Sequence, residues 1–145
     1  MDIIKVLFVK KRENGSFEIE NIWCNKTVDK YYIVDNIPFV VDRISLGDVI
    51  RVELDEEEDR YYFEDFVAVS GNSTVQMHVH DEKIISKTRD DLSILGCETE
   101  AFLDRKIVAI NVPKEISYHP VKVYLDKGEA ANNWTYKESC LAHLP

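Results

Sequence analysis

A chain of 145 residues, 45% hydrophobic and 31% charged, holds enough apolar material for a packed core, which argues against a disordered polymer. Its 27 acidic residues against 18 basic ones leave a net charge of −9. That balance repels nucleic-acid phosphates and anionic membrane surfaces and suits a basic partner, although it also serves plain solubility.

Cys24, Cys97 and Cys140 are odd in number and widely spaced, with no CxxC, so they form neither a disulfide framework nor a zinc motif. Reduced thiols in a cytoplasmic protein are expected. Residues 1–12 carry a short apolar run followed by Lys10-Lys11-Arg12, which reads as a strand and not as a signal peptide. No stretch reaches the roughly 18 apolar residues of a membrane helix.

In chain order, Ile3 to Val9 is β-branched and aromatic, and Glu13-Asn14-Gly15 supplies a turn. Phe17 and Ile19 alternate with Glu18 and Glu20 as a half-buried strand. The alternation breaks at Asn21-Ile22-Trp23, which predicts a bulge or burial on both faces. Tyr31 to Val34 is a further strand, closed by a bend at Asp35-Asn36-Ile37-Pro38. After the turn at Leu46-Gly47-Asp48, the residues Ile50, Val52 and Leu54 point one way, and Tyr61 to Val69 returns as the second arm of a hairpin. Residues 1–72 thus read as a small bent β-sheet or barrel.

From residue 73 the pattern changes, with Ser70-Gly71-Asn72-Ser73 as the joint. Val75, Met77 and Val79 alternate with Gln76, His78 and His80, a strand with one wet face. Asp81 offers a helix cap, Ile85, Leu92 and Leu95 share a helical face, and Gly96 ends it. Glu98 to Leu103 and Lys106 to Val112 are strands joined at Asp104-Arg105. The second of them is apolar on both faces, as a central strand would be. His119-Pro120 opens a second helix carrying Val121, Tyr124, Leu125 and Gly128, and a last strand follows with Trp134 and Tyr136 pointing inward. Residues 73–145 therefore read as a ferredoxin-like βαββαβ half, and the whole as an α+β protein with the N-terminal sheet packed on it.

Candidate chemistry is sparse. His78 and His80 share one strand face but lack a patterned third ligand, so an exposed face is expected and not a metal site. Cys140 with Glu138 and His119 or His143 resembles a nucleophile pair only loosely, because an acidic setting raises a thiol pKa. Neither GxGxxG nor a Walker-type run occurs, and no cofactor is expected. The outstanding surface feature is Asp55-Glu56-Glu57-Glu58-Asp59, followed by Glu64 and Asp65. As a bland feature it is a solvated hairpin tip that guards a sheet edge; as a functional one it docks a cationic protein. Asp90-Asp91, Glu98 and Glu100 would extend its field if they shared its face.

The stretches Asp35-Asn36-Ile37-Pro38-Phe39, Ser45-Leu46-Gly47-Asp48-Val49, Ser70-Gly71-Asn72-Ser73-Thr74-Val75 and Leu95-Gly96-Cys97 stand in a distinctive order. With Ala109 to Pro113, Leu125-Asp126-Lys127-Gly128-Glu129-Ala130 and Trp134-Thr135-Tyr136-Lys137-Glu138, the chain resembles the bacterial family called Domain of Unknown Function 4265 over roughly residues 20 to 140. The resemblance implies a domain layout and a bacterial origin, and transfers no catalytic residue.

Small size, acidity and the lack of a reactive motif together lead to the expectation of a non-catalytic immunity (antitoxin) protein that neutralises a basic toxin domain by binding it. The alternative is a ligand-sensing or regulatory module with a pocket between the two halves. An enzyme ranks third.

Overall fold

In a computed structural model describing residues 3–144, the strands divide between two sheets, and two helices cover one of them. The first sheet runs β1 (Ile3–Lys11), β2 (Phe17–Lys26), β3 (Tyr32–Val34), β4 (Val49–Asp55) and β5 (Arg60–Ala68). Each strand pairs antiparallel with the next, and β5 returns to β1 through a parallel contact of two residue pairs, Val6 with Tyr61 and Leu7 with Tyr62. The sheet curls far enough to enclose Val6, Phe8, Ile22, Cys24, Val34 and Ile50. Phe63 stacks on Phe8 at 5.0 Å between ring centroids and meets Phe66 edge-on at 5.2 Å, which seals one end of that core.

Strand β2 inverts the reading made from its alternation. Phe17 and Ile19 are exposed, while Glu18 and Glu20 lie on the same side as the buried Ile22 and Cys24. No bulge occurs at Asn21-Ile22-Trp23, because the β1–β2 register is unbroken from Ile3–Asn25 to Lys11–Phe17. The period of two holds throughout, and two carboxylates occupy inward positions because each finds strong partners there.

The second sheet contains β6 (Ser73–Val79), β7 (Glu98–Phe102), β8 (Ile107–Val112) and β9 (Trp134–Cys140), in the order β7-β8-β6-β9 with every neighbour antiparallel. Helices α1 (Ile85–Ile94) and α2 (His119–Ala130) cover one face of it. Asp81 accepts a hydrogen bond from Lys83 N and opens a short 3-10 turn into α1. Gly96, at φ +96°, takes the left-handed position that stops α1, and Pro120 occupies the tolerated first turn of α2. Val75, Met77, Val79, Val108, Ile110 and Val112 pack beneath Leu92, Val121 and Leu125. Fully burying an aliphatic side chain is worth about 1.5–3 kcal/mol, so this layer carries much of the stability of the half. No helix is long and apolar enough to cross a membrane among the described residues.

The opposite face of this sheet is not the wet face that the alternation of β6 suggests. Thr74 and Gln76 are buried, and exposure begins only at His78. The cover is the long connection between β3 and β4, residues 35–48. Gln76 Nε2 donates to Pro38 O at 3.2 Å and Val41 O at 3.0 Å. Thr74 Oγ1 donates to Ile44 O at 3.0 Å and lies 2.7 Å from Ser45 Oγ. Glu20 holds the same connection from the other side, its carboxylate accepting from the backbone N–H of Phe39, Val40 and Val41 at 2.7, 2.9 and 3.0 Å. The connection is thus a strap tied to both sheets.

Candidate functional site

Where the strap meets the exposed end of the second sheet, a cleft of about 330 Å3 remains open. Its walls come from both parts of the chain. Phe39 and Val40 belong to the strap, His78 to β6, Ile107 to β8 and Thr135 to β9, while Met77 and Tyr136 border the cleft with their side chains turned to the helix face. Gln76 lies at the floor with Nε2 committed to the strap carbonyls, and its Oε1 has no hydrogen-bond partner.

Four cations ring this cleft: Lys10, Arg12, Arg105 and Lys137. They share two carboxylates. Asp42 pairs with both Lys10 and Lys137, the latter at 2.9 Å. Glu18 pairs with Arg105 and, at 3.1 Å, with Arg12. Lys10 stands directly across the β1–β2 ladder from Glu18, so the two clusters join into one network. Burial pushes the Glu18 and Asp42 carboxyls up, yet the hydrogen-bonded cations outweigh it and hold both below the ordinary range. The hydrogen bond to Asp42 raises the Lys10 ammonium further, so it stays charged. Two of the ion pairs, Glu18–Arg105 and Asp42–Lys137, also tie the first sheet and strap to the second sheet. Counting the six groups leaves a local charge of +2, four cations against two carboxylates, in a chain whose total is −9.

The acidic residues singled out in the sequence lie elsewhere. Glu56 to Asp59 form the exposed β4–β5 turn, and the half-buried Asp55 accepts from Glu57 N and Glu58 N through Oδ1. Glu64 and Asp65 sit five and six residues further along β5, at a register shift against Arg51 and Val52, where the bulge turns both outward. At about 3.3 Å per residue that is roughly 17 Å from the turn. Glu98 and Glu100 face the strap side of the second sheet, with Glu100 half-buried near Asn36 and Ile37, whereas Asp91 sits on α1 and bonds Lys87 and Tyr124. These acids therefore share no single face.

The reactive groups are also dispersed. The His78 and His80 rings are 6.2 Å apart, and His80 Nδ1 lies 2.7 Å from Asn132 O. No group of three or more His, Cys, Asp or Glu is gathered for a metal among the described residues. Glu138 accepts from Tyr118 OH at 2.6 Å, and His143 is occupied by Ser73 and Pro113 O, so neither faces Cys140 as a base. Burial raises the Cys140 thiol.

The stretches Asp35–Phe39, Ser45–Val49 and Ser70–Val75 converge at the junction of the sheets. Asn36 Oδ1 accepts from Trp23 N, Asp48 accepts from Ser45 N and Ser70 N, and Asn72 bridges Leu46 O to Lys114 N. A family model described as a domain of unknown function (DUF4265) matches residues 20–136, a span that holds every one of these contacts. The chain belongs to that family.

In this DUF4265 protein the signature stretches therefore build the joint between sheets. A solved structure of a hypothetical protein from Neisseria gonorrhoeae is similar in fold, with TM-score 0.84 and 20% identity over 97% of this chain and 96% of that one. Among curated proteins, none matches. The cations and carboxylates of the cleft escaped the reading of the sequence. They come from β1 and the turn after it, β2, the strap, the turn before β8, and β9, and only Lys10-Lys11-Arg12 shows any local clustering.

Proposed function

We infer that this DUF4265 protein is a non-catalytic ligand-binding module whose ligand sits between its two halves, residues 1–72 and 73–145. The observation that carries this reading is the cleft itself: about 330 Å3, walled by both sheets and the strap, within the size of small-ligand sites. The ferredoxin-like reading of the second half agrees with it, supported by the β-α-β-β-α-β succession and the outer placement of β7 and β9. A non-catalytic role is supported by the raised thiol of Cys140 and by the commitment of Glu138 and His143 to other partners. Free cysteines suit a cytoplasmic setting.

The test is a metabolite screen followed by amide NMR, with Thr135→Trp filling the cleft from its exposed rim. Shifts centred on Gln76, His78 and Thr135 that vanish in the Trp variant are expected. Binding that leaves those positions unmoved, or that survives the Trp variant intact, removes the reading.

A second reading keeps the immunity-protein role, with the β4–β5 turn docking a basic toxin domain. Its support is that Glu56, Glu57, Glu58 and Asp59 stand exposed together on one hairpin tip. Co-purification with the product of the adjacent gene, lost on Glu56→Gln, Glu57→Gln, Glu58→Gln substitution, is the expected result. Equal binding by the triple variant defeats it.

A further inference from the structure

The ring of cations on the cleft is the wrong sign for a surface that merely shares the character of the chain. A chain with 27 acids has placed four cations and the Glu18 carboxylate at one concavity, with Asp42 paired to two of those cations, and its apolar side chains there are Phe39, Val40 and Ile107. The carboxylates cannot neutralise the cations. Asp42 is divided between two lysines and Glu18 between two arginines, so each cluster retains one unit of positive charge. As a purely structural glue, one cation per carboxylate would suffice, and Glu18–Arg105 with Asp42–Lys137 already bridges the halves. Lys10 lies on β1 and Arg12 just past its end, on the same side of the joint as Glu18, so they add charge without adding a bridge to the second sheet.

We propose that the cleft binds a small organic anion, its carboxylate or phosphate group held by Lys10, Arg12, Arg105 and Lys137 and its apolar body seated on Phe39, Val40 and Ile107. This rests on the cleft being the binding site, and it names the ligand class. The arginines supply planar forks that match an oxyanion bidentately, and the lysines supply point charge. Focusing by the apolar walls strengthens the local field against the negative remainder of the molecule. A body of ring size fits the volume, and the apolar lining accounts for selection against inorganic anions.

The experiment titrates the full chain with phenyl phosphate, benzoate and neutral benzyl alcohol, read by amide shifts and by the Arg Nε resonances of Arg12 and Arg105. Binding of at least one anion at the cleft, with benzyl alcohol at least tenfold weaker, is the expected result, and the ranking of the two anions separates a phosphate ester from a carboxylate ligand. Arg12→Gln and Lys137→Gln should each weaken the preferred anion about tenfold, the value of one charge-assisted hydrogen bond. Arg12 bridges no sheets, so its variant keeps the fold even if Lys137→Gln loosens the joint, and an unchanged urea midpoint checks this. Raising the salt should weaken binding further. Benzyl alcohol binding as tightly as the anions overturns the proposal while leaving a ligand cleft in place. Anion shifts that map away from the cleft, anion affinity unchanged in Arg12→Gln, or no shift with either anion also overturn it.

Discussion

Gly128 lies so close under the indole of Trp134 that a Cβ on it would stand 1.8 Å from Trp134 Cζ2. The ring has nowhere to go. Its Nε1 donates to Leu125 O at 3.0 Å, one turn back on α2, and Tyr124 packs against it at 5.5 Å. Gly128→Ala is therefore expected to lower stability by about 3 kcal/mol, through forced overpacking of a filled core. Urea unfolding measures it, and a double-mutant cycle identifies the cause: Trp134→Phe should be much less damaging in the Gly128→Ala background than in the parent. Additive effects would mean the clash is not what the glycine avoids.

Gln76 predicts a second outcome. Its Nε2 satisfies two strap carbonyls in a buried setting, and Gln76→Leu leaves both without that donor. A loss of about 2 kcal/mol is expected by urea unfolding, because unmet buried acceptors carry their desolvation penalty. A change under about 0.5 kcal/mol would show that the strap is held by its other ties alone.

The pH dependence follows from Glu18 and Asp42. The folded state holds these carboxyls below their ordinary values of 4.5 and 3.8, so in that range it binds fewer protons than the unfolded chain. Their contribution is complete above those values and is lost as pH falls through the lower folded-state pKa values. Urea midpoints between pH 6 and pH 3 should fall on acidification, and Asp42→Asn should flatten the fall. Glu100 acts in the opposite sense, since burial raises it and its protonation favours the fold. Glu100→Gln should accordingly steepen the acid limb.

Thiol labelling gives a fourth outcome. Burial pushes Cys24 up to about 12 and Cys97 up to about 11, and both are enclosed by core side chains. In the folded protein an aromatic disulfide reagent should modify Cys140, which is partly exposed, slowly and to one equivalent. The other two should react only on unfolding. Fast reaction of all three would contradict the packing of both cores.

Most strands and both helices were legible because their signals are local. Val75, Met77 and Val79 alternate, Asp81 caps, Gly96 stops a helix and Asn14-Gly15 turns a hairpin, each without reference to distant residues. Strand β2 misled for the converse reason. Glu18 and Glu20 look like solvent-facing charges until Arg105 and the amides of Phe39, Val40 and Val41 are brought to them. Gln76 looked wet because its cover, residues 35–48, has no periodicity to announce where it lies. A pocket between the halves was an alternative reading of the sequence, but its charged ring was invisible for the same cause, its groups being contributed by segments up to 127 positions apart, Lys10 to Lys137. The hairpin tip was legible as a tip, but its acids stay apart from Glu64 and Asp65 because a bulge and half a strand intervene.

The strap has a consequence for how the molecule comes apart. Its shape is dictated by Glu20 on one side and by Thr74 and Gln76 on the other, so it is a shared organ of both sheets and belongs wholly to neither. Melting either sheet strips the strap of one of its two sets of hydrogen bonds. Heating should therefore give one calorimetric peak, with Trp23 and Trp134 reporting the same midpoint from opposite ends of the chain.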